Sequence, residues 1–147
     1  MQPGTLTNAN QNEQTQDGNI DELPQIRFVR PIPGFSSLRQ WILAPAADDE
    51  TTLYELASLE RPEIRFMVAT AYGFFPSYDV ELDDDICEDL ALMDADDALV
   101  LVVLTVAREP AAITANLLAP VVINARTRDA AQVILAGSEW PVRAPIG

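Results

Sequence analysis

Between Asp79 and Asp97 the chain carries ten carboxylates and no basic residue. Acids at this density suit three kinds of chemistry. They hold hard cations such as calcium, they act in pairs as general acid and base, or they draw in a basic partner. The EF-hand calcium loop needs a glycine at its sixth position and a glutamate at its twelfth. No glycine lies between Gly73 and Gly137, so that pattern is absent. A carboxylate-dependent hydrolase needs two acids converging in a pocket, and nothing in the spacing singles out such a pair. The third use needs only exposure. Four acids, Asp83, Asp84, Asp85 and Glu88, have a structural use at a helix start. Of the rest, Glu81, Asp94, Asp96 and Asp97 are the candidates for partner attraction, against the plainer reading of a solvated face.

The residues that are missing narrow the chemistry further. There is no His and no Lys, and all nine basic residues are Arg. Without His there is no Ser-His or Cys-His nucleophile pair and no imidazole metal ligand. Without Lys there is no Schiff base and no phosphate-binding loop lysine. Cys87 is the single cysteine, so an internal disulfide and a cysteine-based zinc site are both excluded. The glycines are isolated and build no phosphate cradle. No catalytic residue, cofactor or metal is expected. The net charge of −14 repels nucleic-acid phosphates and anionic membranes and favours a basic protein partner. The same charge also serves solubility.

The acids must be positioned by the elements around them. Asp83 to Ala95 predicts a helix of roughly two turns, N-capped by Asp84 or Asp85, with Glu88 three residues after Asp85 as in a capping box. Ile86, Cys87, Leu90 and Ala91 share one face at helical spacing. Ala98 to Val106 is nine residues without a charge, mostly Val and Leu. β-Branched side chains at this density favour a strand, and a run with no polar face implies cover on both sides. Arg108-Glu109-Pro110 breaks the run. Pro120 opens a second one, Val121 to Ile123, closed by Asn124. An exposed connector carrying Thr114, Ala115 and Asn116 is expected between them.

Upstream, Gln25 to Val29 alternates as a half-exposed strand does. Pro31-Ile32-Pro33-Gly34-Phe35 is a turn with Phe35 as its anchor on the core. Trp41 to Ala44, Thr52 to Ser58 and Ile64 to Ala71 read as strands, with Tyr54 and Leu56 on the core face of the second. Ala71 to Tyr78 reads as a strand end, a turn and a re-entry. There Phe74 and Phe75 either cap the core or form an aromatic patch facing a partner. Asp79 to Leu82 resumes alternation. Near the C-terminus, Ala125 to Arg128 is a basic turn, Gln132 to Leu135 a closing strand, and Trp140 a packing residue of the tail. Residues 1–21, rich in Gln, Asn, Thr and Gly, read as a disordered arm, and 22–147 as a single domain. No window approaches the roughly 18 to 20 apolar residues of a membrane span. The N-terminus has no signal-peptide pattern, so a cytoplasmic location is expected.

Thr114-Ala115-Asn116-Leu117-Leu118-Ala119-Pro120-Val121-Val122-Ile123-Asn124 closely resembles the most recognisable segment of the FliW family of flagellar assembly factors. Ile32-Pro33-Gly34-Phe35, Phe74-Phe75-Pro76 with the acidic stretch after it, and Asn124 with Gln132-Val133-Ile134-Leu135 are similar to the family in the same order. The resemblance spans about Phe28 to Arg143. It implies a mainly β fold, a small antiparallel β-barrel-like domain with one short helix near 84–92. It also implies a non-enzymatic protein that binds flagellin and that binds and antagonises CsrA, a basic RNA-binding translational repressor, with no direct contact to nucleic acid or membrane. Thr114, Asn116 and Leu117, in the most family-like segment, join the candidate partner-binding residues, with a turn-holding role for Asn116 as the alternative. The family usually begins with a strand pair ahead of the Pro-Gly-Phe turn. This chain has the Gln/Asn-rich arm and one short strand there, so part of the first hairpin is either missing or replaced by a strand the sequence does not reveal, which leaves open how the edge it would cover is paired.

Overall fold

The chain enters its β-structure on an alternating segment. In β1 (Gln25–Arg30) Ile26 and Phe28 are fully buried, while Gln25, Arg27 and Arg30 face out. Successive side chains of a strand lie on opposite faces, so the polar-apolar alternation fixes which way this strand turns. The protein is described by a computed structural model covering residues 25–46, 53–108 and 111–146. The expected arm at 1–21 lies outside the described residues.

A turn follows β1. Pro33 and Gly34 occupy its centre, Gly34 has φ +90°, and Phe35 N–H donates to the Ile32 carbonyl at 2.9 Å. Proline presets the first central position of such a turn and glycine accepts the positive φ of the second. The chain then runs as an antiparallel meander through β2 (Gln40–Pro45), β3 (Leu53–Ser58) and β4 (Arg65–Thr70). It continues in β5 (Ala98–Arg108), β6 (Ala111–Ala115), β7 (Val121–Asn124), β8 (Asp129–Gln132) and a two-residue β9 (Ala144–Pro145).

Seven of these strands hydrogen-bond in a ring, β1-β2-β3-β4-β5-β7-β8, which closes when β8 returns to β1. Each pairing is antiparallel except the last, where β1 and β8 run parallel. The edge left open by the sequence is thus paired: β1 has β2 on one side and β8 on the other. β5 is eleven residues long and serves two structures. Its first part belongs to the ring, and Leu104 to Arg108 continue outward to pair with β6. β6 and β7 follow one another along the same edge of β5. From Leu101 to Leu104 β5 takes three steps, while the facing chain takes six, from Val121 back to Ala115. The excess makes residues 116–120 bulge out of the ladder.

The barrel interior is filled by Ile26, Phe28, Trp41, Leu43, Leu56, Val68, Leu101, Val121 and Ile123. Trp41 sits between Phe28 and Phe66, with centroids 5.8 and 5.9 Å away, and Phe35 meets Phe66 edge-on. Phe35 thus anchors its turn, and the buried Trp41 indole donates to the Leu38 carbonyl. Outside the ring, one cluster gathers Tyr78, Val102 and Leu117, with Trp140 packed on it. Another gathers Ile86, Leu90, Val122, Ala131 and Val133. Val121 and Ile123 face the interior while Val122 lies beneath the helix, so all of β7 is buried. An apolar run with no polar face requires cover of that kind.

Of two short helices, the second provides it, while the first packs on β4 and β5. α1 (Ala71–Phe74) is one turn, where a strand end and re-entry were expected. α2 (Asp84–Asp89) is shorter than the expected 84–92. Its N-cap is Asp83, not Asp84 or Asp85, and the Asp83 carboxylate accepts from Ile86 N–H at 3.0 Å. The cap falls one residue early because Ile86 must face the barrel. α2 ends at Leu90, with Leu92 N–H donating to the Cys87 carbonyl and Ala91 N–H to that of Glu88. This pair of bonds is the Schellman motif, which puts the next residue in the left-handed region; Ala91 has φ +53°. The connector 79–83 forms no strand despite its alternation. Thr114 and Ala115, expected in an exposed connector, lie in β6, and Ala115 is fully buried. The closing strand is β8 at 129–132, and Val133 and Leu135 continue it with single bonds to Pro120 and Leu118.

Alanine is strained at φ +53° and glycine is not, so Ala91→Gly is expected to raise stability by about 0.5 to 1 kcal/mol in urea titration. A second expectation concerns pH. Burial, and then the neighbouring Tyr72, push the Tyr78 hydroxyl far above its usual range, and Tyr54 and Tyr72 are also raised, chiefly by burial. An unfolded tyrosine ionises near pH 10. The folded state thus holds these protons more tightly, so stability is full below about pH 10 and falls as pH rises further. Melting temperature should hold level to roughly pH 9.5 and then decline, and Tyr78→Phe should soften that decline while losing about 1 kcal/mol at neutral pH.

Candidate partner-binding surface

The acidic stretch follows α1, forms α2 and ends at a 3-10 turn, Ala95–Asp97, that leads into β5. Nine of its ten carboxylates are on exposed residues, and Asp97 is half-buried. Some have structural duties. Asp83 caps α2, Asp89 pairs with Arg30 at 2.7 Å, and Asp97 pairs with Arg126 at 3.4 Å. Asp94 accepts from Asp96 N–H at 3.0 Å, a local turn bond. No ion pair among the described residues reaches Asp79, Glu81, Asp84, Asp85, Glu88, Asp94 or Asp96. Charges left unpaired on one side of a protein set up a field that attracts cations and basic surfaces. No three His, Cys, Asp or Glu among the described residues converge as a metal site.

Two depressions flank this stretch. The larger is an open groove of about 530 Å³ between α1, the 79–83 connector, α2 and the start of β5. Val80, Leu82, Leu92, Ala98 and Val100 give it an apolar lining, and Asp79 and Asp94 stand on it. The smaller, about 260 Å³, lies between Asp79, Glu81 and the loop Leu135 to Ser138. Asp79 borders both.

The other sequence candidates separate. Phe74 is exposed at the end of α1, whereas Phe75 is half-buried against the cluster around Tyr78. Thr114 is half-buried in β6, opposite Thr105 on one side and Pro145 on the other. Leu117 is a core residue, 3% exposed, and its carbonyl accepts from the Tyr78 hydroxyl, so its side chain is not on the surface. Asn116 holds the bulge between β6 and β7: its Oδ1 accepts from Leu118 and Ala119 N–H at 3.0 and 3.1 Å.

Asn124 was read only as a strand terminator, and its role is larger. It is 1% exposed. Its Nδ2 donates to the carbonyls of Leu90, at 2.7 Å, and Ala91, at 3.2 Å, where α2 ends. Its Oδ1 accepts from Arg126 and Thr127 N–H in the β7–β8 turn. One side chain therefore satisfies two orphan carbonyls of a helix end and two amides of a turn. Tyr72 and Met93, exposed beside the larger groove, are not among the sequence candidates: Met93 stands alone before a run of acids, and Tyr72 is one of four aromatics between 72 and 78 with nothing to single it out.

A closed seven-strand barrel carrying one acidic, largely unpaired face defines a small β-barrel protein with its distinctive surface on the connectors outside the ring. The comparisons with known proteins agree with this class. The family model described as FliW protein matches residues 9–146. The flagellar assembly factor FliW of Geobacillus kaustophilus is 39% identical over 127 residues, covering 86% of this chain and 87% of its own. That of Bacillus subtilis is 34% identical over 129 residues, covering 88% and 90%. A crystal structure of the flagellar assembly factor FliW superposes with a TM-score of 0.75 at 35% identity, covering 82% of this chain and 84% of that one. The chain belongs to the FliW family of flagellar assembly factors.

The two asparagines of the family-like segment should separate by melting and urea titration. Asn116→Ala leaves two part-buried amides without their acceptor and should lose about 1 kcal/mol. Asn124→Ala strips four backbone groups of their partner, one in a buried bond and three in part-buried ones, and should lose about 2 to 4 kcal/mol. Equal losses would mean that the number of backbone groups left without a partner does not govern the difference.

Proposed function

We propose that this protein works as a partner switch in flagellar assembly, binding and antagonising the translational repressor CsrA and also binding flagellin. In this reading free protein sequesters CsrA and permits flagellin synthesis. Accumulated flagellin then occupies the protein and releases CsrA. Family membership supports the flagellar role, and the observation that supports the CsrA half is the acidic face at 79–97, where only Asp89 and Asp97 have an ion pair among the described residues. An RNA-binding repressor carries basic surface, and charge complementarity speeds its encounter with an acid one. The protein acts by binding, within the cytoplasm, and touches neither RNA nor membrane; its net charge of −14 opposes both.

The test neutralises Glu81, Asp94, Asp96 and Asp97 to Gln or Asn and follows CsrA association by stopped flow across a salt series. Association at low salt should slow by roughly tenfold and its salt dependence should flatten. Asp97 should contribute least, because Arg126 already partners it. An unchanged rate at low salt takes this face out of the encounter. Pull-down of flagellin by the same variants tests whether the second partner uses the same charges.

A further inference from the structure

The acidic face is not purely polar. The groove between α1 and α2 is floored by Val80, Leu82, Leu92 and Val100, and two large side chains stand at its mouth with much of their surface in water. Met93 is 84% exposed and Tyr72 51%. An isolated exposed apolar residue is ordinary, but here they rim an apolar cleft. Methionine is flexible and polarizable, and it recurs at surfaces that accommodate a partner's side chains. The volume, about 530 Å³, falls within the roughly 300 to 1,000 Å³ typical of ligand sites. No basic residue lines the groove, and Asp79 and Asp94 on its rim have no ion pair among the described residues.

We propose that this groove seats a segment of the basic partner in which an aliphatic or aromatic side chain, flanked by arginine or lysine, enters between Tyr72 and Met93 while the cations meet Asp79 and Asp94. The inference rests on the reading above that a basic protein docks on this face. It adds the part that charge alone does not supply. Exposed acids govern how fast the partner arrives, whereas a desolvated apolar anchor governs how long it stays. An acidic or purely polar segment is excluded by the same geometry: it would meet two carboxylates and leave its own polar groups against an apolar floor.

The chain supplies its own reporter. Cys87 is its single cysteine, half-buried in the groove wall. Alkylation of the full-length protein by N-ethylmaleimide, followed by intact mass, should slow by roughly tenfold or more when saturating CsrA covers the thiol. A complex seen by gel filtration with alkylation unchanged overturns the groove while leaving the partner reading standing. Protection by flagellin and not by CsrA also overturns it. Absence of any CsrA complex removes the reading itself, and this inference with it. The second arm is Met93→Ser, whose side chain is too exposed to matter for folding. It should leave melting and the CsrA association rate unchanged and speed dissociation by roughly tenfold. Unchanged dissociation counts against the groove.

Discussion

The carboxamide of Asn124 is the joint on which the outer parts of this barrel depend. Strand β7 is buried on both faces, so whatever covers its outer face has to be fixed there. The cover is α2, six residues long, which no isolated peptide would hold in water. Its N-terminus has Asp83 and its C-terminus has the Schellman bonds, but neither attaches it to the barrel. Apolar contact of Ile86 and Leu90 supplies adhesion without direction, and the exposed Arg30–Asp89 pair to β1 adds little. Asn124 supplies direction, because its four hydrogen bonds run half to the helix end and half to the β7–β8 turn. Aspartate could not replace it, having no N–H to give the two carbonyls.

That joint also sets where the charges lie. The end of α2 is pinned to Asn124, which pairs with Ala98 at the start of β5, so the chain from Leu92 to Asp97 only loops between these neighbours, with Met93 and Asp94 on the groove and Asp97 beside Arg126. The salt bridges are on the protein's surface and add little to stability. Their effect on the field is larger: five of the nine arginines are matched to Glu55, Glu63, Asp89, Asp97 and Asp129. The acids around the groove keep their charge uncompensated. Acidity here is a matter of arrangement more than of total.

Much of the barrel was legible because burial imprints a period on the chain. β1 alternates, the Ala98 run is apolar throughout, and Pro33-Gly34 can form few turns. Where the signal misled, a different quantity was being read. Asp79 to Leu82 alternates because Val80 and Leu82 line a groove, not because a neighbouring strand pairs there. Thr114 and Ala115 look like loop residues because β6 is a thin outer strand whose pairing comes from the backbone. Three consecutive aspartates left the helix start ambiguous in sequence, and the packing of Ile86 decided it. Asn116 declared itself as a turn residue by type. Asn124 did not, since a terminal asparagine reads the same whether or not a helix end lies 34 residues away. The groove was illegible for a similar reason: its lining is drawn from α1, a connector, α2 and β5.

The parallel pairing of β1 with β8 has a consequence in time. Arg27 and Asp129 meet across 102 positions of sequence, and the barrel is not a barrel until they do. The meander from β1 to β4 uses near neighbours, but the closing contacts require nearly all of the chain. High contact order slows folding, because the entropy of a long loop is lost before its contacts form. During synthesis the N-terminal strands must therefore wait, with Ile26 and Phe28 unsealed, until residues 129–132 have left the ribosome. Asn124 lies just upstream of that seal, so the acidic face is assembled at about the same moment. A nascent or truncated chain that stops short of residues 129–132 would present the meander without the closed barrel, so the complete binding surface first exists only once β8 has docked on β1.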